Sequence, residues 1–212
     1  MYNPVVFQET HMEVLEAAMA AHPLAALVTT GSDGLGVSHV PLLYQPAPGL
    51  AGVLRGHLAR ANPQWETYVP NSEALAIFSG PEHYISPGWY VSTKETGKAV
   101  PTWNYVTVHV RGTLTFTTDP GWLWENVRAL TDAHETSLAE PWRVEDAPPE
   151  FIERMLGAIV GVELAVTRIE GKWKLSQNRT LRDRAAAVAG LEGLATPEAL
   201  RMARLVKEAM PK

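Results

Sequence analysis

The feature that most constrains the fold is a succession of about seven strand-like segments, joined by turns and merely interrupted by helices. The clearest of them, residues 105–117, alternates apolar and polar side chains over most of its length. The turn Ser32-Asp33-Gly34 separates the first two segments, 24–30 and 36–43, as in a hairpin. Short turns join antiparallel strands, whereas parallel strands need long crossovers. The succession therefore predicts an antiparallel sheet.

The remaining predicted elements complete this pattern. Further strands are predicted at 50–57, 74–79, 85–90, 162–169 and 172–176, with a turn at Glu170-Gly171 between the last two and a candidate bulge at Gly112. Helices are predicted to begin at the capping box Thr10–Glu13, at Asn62-Pro63, Asp119-Pro120 and Pro148-Pro149, and to cover 181–191 and 197–210 behind Thr196. The predicted fold is mostly β with peripheral helices (α+β), a closed or partly closed antiparallel barrel.

Composition excludes several classes of chemistry. The chain has no cysteine, which rules out disulfides, thiolate catalysis and cysteine-ligated metals. No apolar run approaches the ~20 residues of a membrane span, and the first residues lack the pattern of a signal peptide, so we expect a cytoplasmic protein that has no membrane partner. The seven histidines show no metal spacing, and no nucleophile lies beside a base. We therefore predict no metal site and no catalytic residue.

Charge is distributed unevenly along the chain. From Arg168 onward there are ten Lys or Arg against five Asp or Glu, whereas the preceding residues carry eight against eighteen. A basic tail on an acidic body fits contact with nucleic acid, with a phosphate ligand or with a second subunit, and it also fits solvated helix faces. Arg201, Arg204 and Lys207 form a modest basic face. Without a helix-turn-helix, and with an acidic remainder, DNA binding is only weakly supported.

Two polar runs are too rich in hydrogen-bonding groups to belong to a core. They are Lys172-Trp173-Lys174-Leu175-Ser176-Gln177-Asn178-Arg179 and Leu54-Arg55-Gly56-His57-Leu58-Ala59-Arg60-Ala61-Asn62-Pro63. Each of these polar groups costs free energy when it is buried without a partner. The runs therefore indicate contact with an anionic, hydrogen-bonding ligand.

Four motifs strongly resemble the PaiB family: Arg-Gly-His-x-Ala-Arg-Ala-Asn-Pro-Gln-Trp at 55–65, Tyr84-Ile85-Ser86-Pro87-x-Trp89-Tyr90, Val100-Pro101-Thr102-Trp103-Asn104-Tyr105, and Lys172 to Asn178. Its members are described as FMN-binding negative transcriptional regulators. The resemblance runs from Met1 to about Gly190 and implies an antiparallel split β-barrel of the FMN-binding split barrel type. It also implies a homodimer with flavin at the subunit interface, and a role in protease production and sporulation. The expected domains are a split barrel over 1–178 and a helical extension over 179–212 that packs on the barrel or on the partner subunit.

The resemblance also implies where FMN is held. The segment Arg55–Asn62 matches the phosphate-binding turn, with Arg60 as the bidentate ligand and with Arg55, His57 and Asn62 beside it. The alternative is that Arg60 and Asn62 merely cap the following helix. Related oxidases carry hydroxyl residues and a lysine where this chain has Ala59 and Ala61.

The flavin ring is expected at the other two motifs. Thr102, Trp103 and Asn104 offer an aromatic surface and hydrogen-bonding groups, although Trp103 could instead belong to the core or to the dimer interface. The ammonium of Lys174 would lie near the N1 and C2=O edge, or near the phosphate of a ligand bound across the dimer. We expect Ser176, Gln177 and Asn178 to contact ribityl or pyrimidine groups. The alternative is an exposed cationic strand end.

Three functions follow from this resemblance. The first is a flavin-binding regulator or sensor without obligatory turnover. The second is an FMN-dependent oxidoreductase of unknown substrate, and the third is a haem-binding or haem-degrading split barrel. Whether the protein is an enzyme stays open, because a flavin carries most of its own chemistry.

Overall fold

A computed structural model describes residues 1–49 and 51–211. The strands of this part of the chain are β1 Gln8–Glu9, β2 Leu24–Gly31, β3 Gly34–Pro41, β4 Leu43–Gln45, β5 Val53–Ala59, β6 Glu73–Ile85, β7 Thr102–Thr117 and β8 Ile159–Lys174. The helices are α1 Met12–Ala21, α2 Gln64–Thr67, α3 Val91–Thr96, α4 Pro120–Glu135, α5 Pro149–Gly157, α6 Leu181–Leu194 and α7 Pro197–Glu208. Short 3₁₀ turns lie at Val5–Phe7, Pro87–Trp89 and Val144–Asp146. Leu50, where the third predicted strand begins, and Lys212, the end of the predicted extension, lie outside the described residues.

The strands form one sheet in the order β3-β2-β6-β7-β8-β5-β4, with β1 pairing to β8. The resolved registers, such as β5 against β8, are antiparallel. Among the described residues, the path of paired strands begins at β3 and ends at β4 without closing. The prediction of a mostly β, antiparallel fold with peripheral helices is therefore confirmed.

The first hairpin forms as its turn residues predict. Gly31 pairs with Gly34, so Ser32 and Asp33 make a two-residue loop. Gly34 has φ of 124°, a conformation that L-residues with a side chain rarely adopt. Side chains of β2 alternate between buried and half-buried positions, as expected when one face of a strand packs on a core.

The chain divides into two compact units. Unit 1 comprises residues 1–15, 79–108 and 170–212, and unit 2 comprises 16–78 and 109–169. Strands β6, β7 and β8 contribute residues to both. The predicted domain boundary after residue 178 stays a prediction.

The core of unit 1 joins the last two helices to the end of β6 and the 3₁₀ turn that follows it. Leu191 of α6 and Met202 and Val206 of α7 are completely buried with Ile85 and Tyr90. Side chains of Thr180 and Thr196 accept hydrogen bonds from Asp183 N and Ala199 N, which begins each helix. Burying each large apolar side chain stabilises this packing by roughly 1.5–3 kcal/mol.

The core of unit 2 requires a glycine in the middle of β7. Buried positions keep their alternation through Gly112, so this residue does not change the phase of the strand as a bulge would. A Cβ at Gly112 would overlap the Ala165 carbonyl and the Leu164 side chain of β8. The glycine therefore permits close approach of two strands. Asp119 begins α4 as predicted, because its side chain accepts from Trp122 N at 2.7 Å.

Two strand predictions are wrong. Residues 85–90 do not form a strand, because β6 ends at Ile85 and the proline at position 87 cannot donate to a sheet. No turn occurs at Glu170-Gly171, since β8 continues to Lys174. Gly171 instead pairs with Glu9 of β1, and a Cβ there would overlap Leu15.

The predicted capping box at the start of α1 does not form. The helix begins at Met12, and Glu9 Oε1 accepts from the backbone N–H groups of Thr10 and His11, each at 2.8 Å. The acidic residue that precedes the threonine therefore satisfies these donors, and Thr10 itself lies outside the helix.

Candidate functional site

The end of β8 and the start of β7 bring three predicted flavin contacts together in unit 1. The ammonium of Lys174 donates to Trp103 O at 2.8 Å and to Thr102 Oγ1. It also lies 5.9 Å from the centre of the Tyr105 ring. Neighbouring strands thus place the Lys174 cation beside Trp103, which is 71 positions away in sequence.

The environment of Lys174 disfavours its charged form. Burial lowers the pKa of the Lys174 ammonium, and although Tyr105 acts in the opposite direction, Lys172 and Arg179 lower this pKa further. An anion beside the ammonium would relieve this penalty. The arrangement therefore suits a negatively charged or electron-rich ligand group.

The indole of Trp103 is exposed to 52%, which is unusual for so large an apolar side chain. Tyr84 meets it edge to face, with ring centres 6.1 Å apart. Since Trp103 does not belong to the core of unit 1, the predicted alternative of a core role is wrong. An exposed aromatic pair can contact a planar ligand or another subunit.

Asn104 and Ser176 face each other in the interior. Asn104 Nδ2 donates to Ser176 Oγ at 3.0 Å, and the hydroxyl lies 3.2 Å from Asn104 Oδ1. Both side chains are almost completely buried. Their polar groups satisfy each other, which fixes the end of β8 against β7. In this arrangement they position Lys174 and Trp103.

Gln177 and Asn178 behave differently from each other. The Gln177 side chain accepts from Leu175 N at 2.7 Å and donates to Trp173 O at 2.6 Å, so it closes its own turn. Asn178 is exposed, and its side chain forms no hydrogen bond with another described residue. Of the two, Asn178 has the amide available for a ligand.

Lys172 was not among the predicted contacts, yet it shares the environment of Lys174. Only 7% of it is exposed. Its ammonium donates to Tyr2 O at 2.9 Å and lies 5.3 Å from the Tyr105 ring centre. The two-residue period of a strand puts Lys172 and Lys174 on one face. That spacing was the signal in the sequence from which the lysine pair could have been found.

In unit 2, the two arginines of the predicted phosphate segment differ. Arg55 donates to Glu163 at 2.7 Å and stacks over Trp122 at 5.5 Å. Arg60 is exposed, and its guanidinium pairs with no carboxylate within 1–49 and 51–211. Its backbone N–H and carbonyl bond to Ala158 O and Trp65 Nε1. Arg60 is thus anchored through its backbone while its side chain is available for an anion.

His57 and Asn62 complete this segment. His57 Nδ1 is buried without a hydrogen-bond partner in the described part of the chain, and burial lowers the pKa of this imidazole. Asn62 Oδ1 accepts from Gln64 N at 2.9 Å, and its Nδ2 donates to Ser38 Oγ at 2.8 Å. The N-cap of α2 is Pro63 rather than Asn62, but the Asn62 side chain accepts from Gln64, the first residue of the helix. The Arg60 side chain takes no part in this arrangement.

Within each unit, the chemistry of these groups fits a part of a flavin nucleotide. The exposed guanidinium of Arg60 suits a phosphate, and the orphaned nitrogen of His57 needs a hydrogen-bond partner. Within unit 1, the exposed indole of Trp103 beside the Lys174 ammonium suits the ring and pyrimidine edge of a flavin. The two sets of groups belong to different units.

Comparison with solved structures defines the class of fold. The fold is an antiparallel split barrel, similar to that of a flavocytochrome from Azotobacter vinelandii, with a TM-score of 0.53 and 14% identity over 82% of this chain and 70% of that chain. None of the helices among the described residues is long and apolar enough to cross a membrane.

Comparison of sequences then gives the family. The family model described as "Putative FMN-binding domain" matches residues 1–168, and the chain belongs to this family. The protease synthase and sporulation protein PAI 2 of Bacillus subtilis is 30% identical over 100% of this chain and 99% of its own length. An uncharacterised protein of Emericella nidulans is 32% identical over 98% of this chain and 97% of its own. The resemblance to the PaiB family is thereby confirmed.

Proposed function

We propose that the protein binds FMN and acts as a flavin-dependent sensor or negative transcriptional regulator of the PaiB type. The observation that carries this proposal is the exposed indole of Trp103 beside Lys174, an ammonium without a carboxylate partner among the described residues. Membership of the FMN-binding domain family supports it. So does the name of the Bacillus relative, which links that protein to protease synthesis and sporulation.

Each part of the cofactor has a proposed contact. In unit 1, Trp103 with Lys174 would contact the flavin ring. In unit 2, Arg60, helped by His57, would suit a phosphate. The Asn178 side chain, which has no hydrogen-bond partner in the described part of the chain, would contact ribityl or pyrimidine groups. Asn104, Ser176 and Gln177 would keep the strand ends in place. FMN, when it is bound, supplies the redox chemistry.

The visible spectrum of the purified protein, with and without added FMN, tests the cofactor. We expect flavin bands that are released on denaturation, and weaker binding in Trp103→Ala than in a matched Trp142→Ala control, since Trp142 is an exposed tryptophan of unit 2. Absence of any spectral change on adding FMN would overturn the proposal. A Soret band only after haem addition would overturn it in favour of a haem protein.

Regulation without strong intrinsic DNA binding is the expected mode. On α7, Lys207 pairs with Glu192 at 2.5 Å, which leaves Arg201 and Arg204 as exposed cations of that face. Two cations give few phosphate contacts, so we expect weak binding to duplex DNA in a fluorescence anisotropy titration. Strong binding that falls steeply with added salt would show that the protein contacts DNA directly. Anaerobic reduction of bound flavin by NADH or NADPH would instead favour the oxidoreductase.

We also propose a homodimer. In unit 2, Leu35 and Val37 of the edge strand β3 are exposed to 77% and 57%, on the side opposite the buried Val40. Val37 pairs with Val28 of β2, and Leu24 of the same strand is likewise exposed. An exposed apolar surface at the edge of a sheet favours a protein interface.

A further inference from the structure

Three cations of unit 1, two near the end of β8 and one in the turn that follows it, have no carboxylate partner among the described residues. Lys172 and Lys174 contact the Tyr105 ring, and Arg179 lies 4.9 Å from the Tyr90 ring centre. None of the three forms an ion pair with a residue in the described ranges. We call Lys172, Lys174 and Arg179 the cation cluster.

Nearby acids are engaged elsewhere. Glu170 pairs with the N-terminal amine at 3.2 Å. Asp183 accepts from Ser92 N at 2.9 Å. The cation cluster therefore keeps its positive charge uncompensated by these side chains.

Holding such a cluster together costs free energy. Lys172 is almost fully buried and donates one hydrogen bond, to Tyr2 O, among the described residues. Aromatic faces compensate a buried ammonium only partly. Like charges on neighbouring positions add repulsion, which a bound anion would remove.

The oxidised ring of a flavin does not need this much positive charge, because it is neutral. We infer that the cation cluster binds the oxyanion, a phosphate or carboxylate, of a second small-molecule ligand in flavin-loaded protein. This inference rests on the proposed function, and it means that the substrate or signal molecule is an anion. Lys174 would contact both ligands, which would put the oxyanion next to the flavin.

Binding at the cluster should be linked to proton uptake. Lys174 is faced by Thr102, Trp103 O and Tyr105 from β7, by Lys172 from β8 and by Arg179 from the following turn. Burial first, and then the two neighbouring cations, hold the pKa of Lys174 below its ordinary value. An oxyanion would raise this pKa, so the complex takes up protons at pH values between the free and bound pKa.

Calorimetric titration of FMN-loaded protein with inorganic phosphate tests the inference. We expect binding that is weakened about tenfold or more in Arg179→Gln and in Lys172→Met, since each loses a charge-assisted contact. The exposed Lys98 of the same unit gives the control, Lys98→Gln, which should bind phosphate as the parent protein does. Lys172 is almost fully buried, so Lys172→Met could fail to fold. Arg179 is only half-buried, so Arg179→Gln should fold and still tests the inference.

Two results would overturn the inference. One is equal phosphate affinity in the parent protein, Arg179→Gln and Lys98→Gln, as expected for an adventitious ion only. The other is competition between phosphate and FMN, which would mean that the cation cluster holds the phosphate of the flavin itself. If the protein does not bind FMN, the proposed function is wrong. Titration of the flavin-free protein with phosphate would then still test whether the cation cluster binds an oxyanion.

Discussion

Asn104 Nδ2 donates a buried hydrogen bond of 3.0 Å to Ser176 Oγ, and Ser176 has the left-handed backbone conformation, with φ of 65°. A left-handed residue other than glycine costs of order 1 kcal/mol and persists where its surroundings hold it. The hydrogen bond to Asn104 is one such restraint. It ties the turn that follows β8 to the strand that carries Trp103.

Two replacements of Ser176 should distinguish the stability that the hydrogen bond contributes from the cost of the strained backbone. Ser176→Ala leaves the buried Asn104 amide without this partner, so we expect a loss of about 1–3 kcal/mol in the free energy of unfolding. Ser176→Gly loses the same bond but removes the left-handed penalty, so it should be more stable than Ser176→Ala by about 1 kcal/mol. Urea unfolding measures both. Equal stability of the two variants would show that φ at this position is not strained.

Arg60→Ala should lower the affinity of the protein for FMN more than its affinity for riboflavin. Loss of charge-assisted hydrogen bonds to a phosphate costs about 1.5–3 kcal/mol, or roughly ten- to a hundredfold in affinity. Riboflavin has no phosphate, so its affinity should change little. Fluorescence titration measures both, with Arg128→Ala as the control because this exposed arginine pairs with Glu145 at 3.6 Å. An equal loss of affinity for FMN and for riboflavin would show that Arg60 does not contact the phosphate.

His57 should make the protein less stable in mild acid. Burial lowers the pKa of His57 from the ordinary value of 6.5, so the folded state resists protonation and the unfolded chain does not. Stability is then lost as the pH falls below that value, by at most about 1.4 kcal/mol per pH unit. His57→Gln should show a smaller loss between pH 7.5 and pH 5.5. The exposed His134 provides the control, His134→Gln, and an unchanged pH profile in His57→Gln would contradict the prediction.

Asp183 should stabilise unit 1 near neutral pH. Burial alone would raise the pKa of Asp183, but hydrogen bonds from Ser92, Thr180 and Val91 together lower it. A lowered carboxyl pKa stabilises the fold above the ordinary value of 3.8, and this contribution disappears as the pH falls through the folded-state pKa. Asp183→Asn should lose about 1 kcal/mol at pH 7, because the charged cap of α3 is lost. The difference from the parent protein should shrink in acid, and a constant difference across pH would contradict this account.

The exposed edge of β3 should control assembly. Val37→Lys places a charge on this edge, so we expect the proposed dimer to dissociate at lower total concentration, while the fold is retained. Sedimentation velocity measures the mass. Lys98→Gln is the control for a surface change in the other unit. A parent protein that is monomeric at all accessible concentrations would refute the proposed homodimer.

Sequence patterns predicted the local structure well where local rules control it. The hairpin at Ser32-Asp33, the cap at Asp119 and the cap at Thr196 formed as expected, because turn and cap chemistry depends on a few neighbouring residues. Residues 85–90 were predicted wrongly because the apolar pattern outweighed the proline at position 87.

The sequence by itself determined the class of fold, the family and the two polar runs from which a ligand site was predicted. Only the tertiary structure distinguished the members of those runs. Arg55 is held by Glu163, and Ser176 by Asn104, while Lys172 is buried beside Tyr105. Spacing along the chain fixes which side chains share a strand face, but the partner across the sheet depends on strand order and register, which local sequence does not encode.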